Sequence, residues 1–337
     1  MSTVEVGGAR RTGALALFRA NLDRRSAVAT IVPMAVLAVE LAYFFGRSPA
    51  SFGRTYLLND LSTAMPLILV ATGQAIVIIS GGIDISVGGT VSLVSAIAAT
   101  TFTSSDLNVV GWSVVLVLLG LGIGAVNGFL IGVLRLSPVI VTIATWSITG
   151  GLAIVVLQAP GGNISNADID AWTGSPLFVP SPVLILLALF LAWFVLRRSS
   201  LGSKLYAVGS DPEAAAVSGV RVRRAQWASY TLCGGLAALA ALFTVAFQAS
   251  GDPNAGTPLI LDSIAAVVVG GIPISGGRGG IVNVVIGALI YTMVGFIITV
   301  SNISTFLVPL FTGAILVLVV AAGGLVSLLA SRRAVRG

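Results

Sequence analysis

Asp84 and Arg278 are the charged residues whose setting most needs a chemical explanation. Asp84 lies in Gly81-Gly82-Ile83-Asp84-Ile85-Ser86-Val87-Gly88, between two apolar stretches. Arg278 follows directly on Gly270-Gly271-Ile272-Pro273-Ile274-Ser275-Gly276-Gly277, in a similar setting. A charge near membrane depth normally finds a partner. Two readings stay open: Asp84 and Arg278 approach each other and close one end of a path, or Asp84 caps a helix with Ser86 beside it. Bond-making chemistry has little to work with. There is no His, and Cys233 is the single Cys, set in an apolar run. His-based triads, Cys/His metal sites and an internal disulfide are thereby excluded. Lys204 is the only Lys and does not end a Gly-x-x-x-x-Gly-Lys-Ser/Thr pattern, so the chain has no P-loop. No catalytic residue, metal site or bound cofactor is expected, and any ATP must be held by another chain.

The two glycine-rich stretches share the pattern Gly-Gly-Ile-x-Ile-Ser-x-Gly, and each stands between apolar segments. Glycine pairs interrupt helices because they lose the most backbone entropy on ordering. Matched interruptions in two halves of a membrane chain are a sequence pointer to a transport path. The candidate path or gate residues are Gly81, Gly82, Asp84, Ser86, Gly88, Gly270, Gly271, Ser275 and Arg278. Six predicted crossings separate the copies, so both should face the same side, as in a parallel repeat.

A third stretch, Ser200–Arg224, is the longest polar, helix-forming interruption, and with Arg197 and Arg198 it gathers six basic residues. It predicts a short helix over Pro212–Ser218. Asp211 is a good N-cap, Pro212 suits the first turn and Glu213 suits the positive end of the dipole. Ala214, Ala215 and Ala216 are strong helix formers, and Gly219 can take the left-handed turn that ends a helix. At 1.5 Å per residue the helix is roughly 10 Å long, too short to be stable alone. It must lean on this chain or on a partner.

The elements that position these residues follow from composition. The sequence is 56% hydrophobic and 9% charged, with mean hydropathy +1.05, against about 25% charged residues in soluble domains. The fold class is all-α: a polytopic transmembrane bundle of about ten helices, some interrupted. Crossings are predicted near 27–46, 61–80, 88–104, 110–134, 138–158, 181–197, 226–248, 261–275, 281–300 and 303–327. With the N-terminus inside, sixteen of the eighteen basic residues fall on the inner side and only Arg47 and Arg54 outside. Asp106, Asp168, Asp170 and Asp252 fall in outer loops. The expected organisation is a cytoplasmic tail over 1–26, a transmembrane domain over 27–328 with an inner loop at 199–225, and a cytoplasmic tail over 329–337. The basic residues sit at membrane flanks, so nucleic acid is not an expected partner.

Single residues add expectations. Glu40, inside the first run, either faces the bundle interior or is neutral. Asp262 is expected to cap the eighth helix at the outer interface. Gly120, Gly122, Gly124 and Gly128 with Asn127, and Gly287 with Tyr291 and Gly295, give small-residue faces suited to close helix packing. Trp112 and Trp172 suit the aromatic belt.

From about Leu57 to Gly324 the chain resembles the permease subunits of ATP-binding-cassette importers for monosaccharides, the ribose, xylose, arabinose and galactofuranose class. Three segments in order carry the likeness: Gly81–Gly89, Leu205–Val220 and Leu261–Gly280. Pro273 departs from the pattern, as do Asp211–Glu213 and their surroundings. The resemblance implies a multi-pass protein of the cell (inner) membrane that catalyses no bond change. It implies a cytoplasmic ATPase below, an extracytoplasmic sugar-binding protein above, and a second permease copy or paralogue beside it. It also implies that Gly209, Asp211, Glu213, Ala214, Ala215 and Gly219 couple to the ATPase, with Glu213-Ala214-Ala215 and Gly219 resembling part of an importer signature.

Rival readings are a related permease for a nucleoside, a branched-chain amino acid or a signalling furanose, an ion-coupled transporter, and a membrane enzyme. Glu40 and Asp84 are the only intramembrane carboxylates that could serve an ion-coupled mechanism. The scattered carboxylates form no catalytic constellation.

Overall fold

The computed structural model describes residues 30–48, 53–102, 109–162, 164, 172–174, 179–314, 317–318 and 321. The expected tails, Asp106, Asp168, Asp170 and residues 315–316, 319–320 and 322–327 of the 303–327 crossing lie outside the described residues. Among the described residues there is no strand beyond one isolated antiparallel bridge, Gly161–Gly251.

Among the described residues, seven helices are long and apolar enough to cross a membrane. They are α1 (Thr30–Arg47), α2 (Arg54–Ile79), α4 (Val109–Gly132), α5 (Pro138–Val156), α6 (Ser181–Arg198), α9 (Val222–Gln248) and α11 (Ile281–Val300). Two shorter apolar helices, α3 (Ser86–Thr101) and α10 (Thr257–Val269), correspond to the third and eighth predicted crossings. At 1.5 Å per residue they reach about 24 and 20 Å, less than the roughly 30 Å hydrocarbon core. The polar stretch holds α7 (Ser200–Ser210) and α8 (Pro212–Val217).

The core forms where α2, α3, α4 and α9 meet. From Leu67 to Ile79 the apolar side chains of α2 are all buried, and α9 buries Ala237, Ala238, Ala240, Ala241, Leu242 and Phe243. Glycine sets the approach of α4 to α9. A Cβ on Gly120, Gly124, Gly128 or Gly132 would stand 2.2–2.7 Å from an α9 backbone oxygen. The seam is thus a strict four-residue repeat, in which close backbone approach replaces side-chain interdigitation. Gly122 and Gly295 face open space and are not part of any such seam, whereas Gly287 packs on Ala266.

α1 runs parallel to α11. Asn283 Nδ2 reaches Thr30 Oγ1 at 3.4 Å, and the Phe44 and Phe296 rings lie 6.1 Å apart. Glu40 on this helix is buried, and its Oε2 has no hydrogen-bond partner among the described residues. Asp262 does not cap α10. Gly256 holds the N-cap position, and Asp262, a turn and a half further on, accepts a hydrogen bond from the Tyr291 hydroxyl of α11. The Gly256-Thr257-Pro258 start already supplies the helix entry, so the carboxylate is left to bridge two helices.

Candidate functional site

The two glycine-rich breaks are built alike. At the end of α2, Gly81 N–H donates to Ile78 O and Gly82 N–H to Val77 O; after α10, Gly271 N–H donates to Val268 O and Ile272 N–H to Val267 O. Gly81 has φ +87° and Gly271 φ +90°. Each is the left-handed residue that terminates a helix, a conformation that costs other residues roughly 1–2 kcal/mol. The repeat is real in geometry, but its register differs by one from the sequence match. Gly81 is equivalent to Gly271, not to Gly270, because the position that must bend decides the alignment.

After the first break the chain turns inward. Asp84 is fully buried, and its Oδ1 accepts from the Ser86 N–H at 2.9 Å and from the Ser86 hydroxyl at 2.6 Å. The Gln74 amide clasps the Asp84 backbone, its nitrogen donating to Asp84 O at 3.0 Å and its oxygen accepting from Asp84 N at 3.3 Å. Ser86 Oγ also accepts from Asn127 Nδ2 at 2.8 Å, and Asn127 Oδ1 accepts from Thr145 Oγ1 at 2.6 Å. A polar chain therefore links α2, α3, α4 and α5 at the start of α3, about 8 Å in from the end of α4. Tyr230 Oη donates to Ile83 O at 3.3 Å. Asp84 Oδ2 has no hydrogen bond among the described residues, although the Cys233 thiol lies beside the carboxyl. Gly88 and Gly89 let α3 press on its neighbours, since Cβ atoms there would meet Ile260 and Gly256 of α10's start and Thr149 and Trp146 of α5.

Asp84 thus binds Ser86, the first residue of α3, from just outside the N-cap Ile85, and the alternative pairing with Arg278 is not made. No described ion pair joins the two, and Arg278 and Ser275 are exposed. The reason is geometric: the second break needs five more residues than the first before its helix resumes, and Gly276, Gly277 and Gly279 carry these residues away from Asp84 with φ +79°, +73° and +134°.

That excursion ends on the polar segment. Gly277 N–H donates to Ile79 O at 3.0 Å. Gly209 of α7 packs so tightly on α2 that a Cβ would stand 1.7 Å from Ile79 O and 2.8 Å from Gly277 N. Tyr206 Oη donates to Gly279 O at 2.7 Å, and burial pushes the Tyr206 phenol above its ordinary range, with Arg197 opposing. Both breaks therefore meet at one end of the bundle, and α7 joins them. α8 follows at once. Asp211 Oδ1 accepts from Glu213 N at 3.0 Å and Ala214 N at 2.9 Å. Gly219 closes the helix at φ +82°. Ala215 packs inward, while Glu213, Ala214, Ala216 and Val217 stay exposed, Val217 to 91%.

One element escaped the sequence. Residues 249–256, expected as an outer loop, run back along α3. Gly251 packs on Ala99 and on Ser95 O, Asp252 N–H donates to Ser95 Oγ at 3.0 Å, and Gly256 N–H donates to Ser92 Oγ at 3.1 Å. From Ala99 to Gly88 this covers about 16 Å of α3. Irregular backbone at membrane depth survives only where protein or a water-filled cavity satisfies it, and here serine hydroxyls do so. The signal was present in Gly251-Asp252-Pro253-Asn254 and in the serines of α3.

Among the described residues, no group of three or more His, Cys, Asp or Glu could hold a metal ion. Two broken helices and the polar segment that carries α7 and α8 share one junction. Fold and site together define a polytopic helical membrane protein built around paired discontinuous helices. The family described as the branched-chain amino acid transport system permease component matches residues 56–320, and the chain belongs to that permease family. It is 36% identical over 275 residues to the ribose import permease protein RbsC of Escherichia coli K12, covering 80% of this chain and 83% of that one. It is 35% identical over 280 residues to the fructose import permease protein FrcC of Rhizobium meliloti, covering 77% and 75%. It is 36% identical over 241 residues to the galactofuranose transporter permease protein YtfT of E. coli K12, covering 69% of each. No solved structure matches.

Proposed function

We propose that this chain is the permease subunit of an ATP-binding-cassette importer and forms the transmembrane path for a neutral monosaccharide. Ribose, fructose and galactofuranose permeases are among its relatives, which supports the sugar class. A binding protein delivers the sugar from outside, and a partner ATPase hydrolyses ATP. Two permease copies, or this one with a paralogue, complete the pore. The membrane domain spans 27–328 between cytoplasmic tails, and the 199–225 loop faces the cytoplasm.

The observation that carries this reading is the junction of Gly209, Ile79 and Gly277. α8 is short, capped and exposed on its outer side, as a helix seated in a partner's groove would be. Force applied to it passes through α7 to both breaks, where Gly81, Gly82, Gly270 and Gly271 give the chain freedom to bend. Asp84, Ser86 and Gly88 hold α3 in place, and Ser275 and Arg278 lie exposed on the moving loop.

Cysteine labelling at Ala214 in intact cells and in inverted vesicles tests the arrangement. Reaction only in inverted vesicles is expected, and reaction from the outside would overturn it. Because the matched family is described for branched-chain amino acids, that substrate class is the second reading. Calorimetry of the partner binding protein with sugars and with leucine decides between them.

A further inference from the structure

A cavity of about 600 Å³ lies between the α4–α5 turn, the end of α8 and the start of α9. Its wall includes Arg135, Arg221, Arg223 and Arg224, and no carboxylate. None of the four guanidinium groups has an ion-pair partner among the described residues. One helix start adds to the positive field: Ser137 before α5 makes no side-chain cap, whereas at α9 the Val222 and Arg224 N–H groups already donate to Val220 O and Arg221 O. Arg135 holds φ +59°, a conformation unusual for a residue that is not glycine.

The rest of the wall is apolar. Ile131, Leu136, Val220 and Val222 line the cavity, and Leu134, Val139 and Ile140, next to lining residues in the chain, are exposed. α4 ends and α5 begins there, so the cavity sits at the level where a membrane-crossing pair meets lipid headgroups. Free phosphate would use the arginines but not the apolar wall. We propose that this cavity holds the phosphate headgroup of one anionic phospholipid, with its acyl chains against the α4–α5 turn. Ala216 of α8 also lines the cavity, so the bound lipid braces the short helix from the membrane side. The inference does not depend on what the protein transports.

Native mass spectrometry of the purified full chain in detergent tests it. The probes are dioleoyl phosphatidylglycerol and dioleoyl phosphatidylcholine, each with and without millimolar inorganic phosphate. One phosphatidylglycerol should be retained, and no phosphatidylcholine. The Arg135→Gln/Arg223→Gln pair should weaken that retention by about tenfold or more, since each basic group near a lipid surface contributes appreciably. The Arg197→Gln/Arg198→Gln pair, outside the cavity, should leave it within about twofold. Equal retention of phosphatidylcholine, or equal loss in both pairs, would overturn the proposal. Displacement by inorganic phosphate would reassign the cavity to a free anion, and this wild-type competition needs no variant to fold.

Discussion

The Gly277 N–H donates to the Ile79 carbonyl at 3.0 Å, joining the ends of two helix breaks that lie far apart in the chain. The bond forms only because Gly209 leaves room for it. A Cβ on Gly209 would stand 1.7 Å from the same oxygen, and crowding of that kind in a packed region costs about 1–3 kcal/mol. Gly209→Ala should therefore reduce ATP-driven uptake in reconstituted vesicles by about tenfold or more, as α7 separates from α2. Gly122→Ala on α4 faces open space and should leave uptake at the wild-type level. Equal uptake by both variants would remove the α7–α2 contact from the mechanism.

Asp84 and Arg278 should behave independently. Asp84 is buried and bonds to Ser86, and Arg278 is exposed. Asp84→Asn keeps an acceptor for Ser86 and removes a buried charge. In a double-mutant cycle with Arg278→Gln, thermal unfolding should give a coupling within about 0.5 kcal/mol of zero. A larger coupling would restore the direct pairing.

The contrast between these two residues shows what the sequence could convey. Local chemistry was legible: Asp211, Pro212 and Gly219 wrote the ends of α8, and the runs near twenty residues located the seven long apolar helices. The repeat was legible as a pattern but not in register, because letters align by identity while a helix ends at the residue that takes positive φ. Gly270 matches Gly81 by position in the motif, whereas Gly271 matches it by conformation. Partners set by tertiary packing were not legible. Asp262 reads as a cap from its place at the front of an apolar run, and only the approach of Tyr291 from α11 gives it another role. The passage of 249–256 along α3 was hidden for the same reason, since its acceptors, Ser92 and Ser95, lie in a distant segment.

That passage makes its own prediction. Ser92 Oγ and Ser95 Oγ accept the Gly256 and Asp252 N–H groups. An unsatisfied buried donor costs about 1–3 kcal/mol. Ser92→Ala should therefore destabilise the segment locally, and Ser92→Thr, which keeps the hydroxyl, should do so less. Hydrogen–deuterium exchange should quicken by roughly five- to a hundredfold over residues 250–257 in the alanine variant, with little change in α4. Uniform exchange across both regions would show that the serine does not hold this stretch.

Tyr206 gives a prediction in pH. Its hydroxyl donates to the Gly279 carbonyl at 2.7 Å, and burial raises its pKa above the ordinary value of 10.0. Folding therefore favours the protonated phenol. The contribution is fully present below pH 10.0 and is lost as pH rises from there through the raised folded value. Tyr206→Phe removes the bond at all pH values, at a net cost of about 1 kcal/mol. Near neutral pH the wild-type chain should resist proteolysis of the 270–280 loop better than Tyr206→Phe. As the pH rises from 10.0 through the raised folded value the two should converge, because the wild-type phenolate can no longer donate to the Gly279 carbonyl. A difference that persists unchanged to higher pH would show that the ring, not the hydroxyl, anchors the loop to α7.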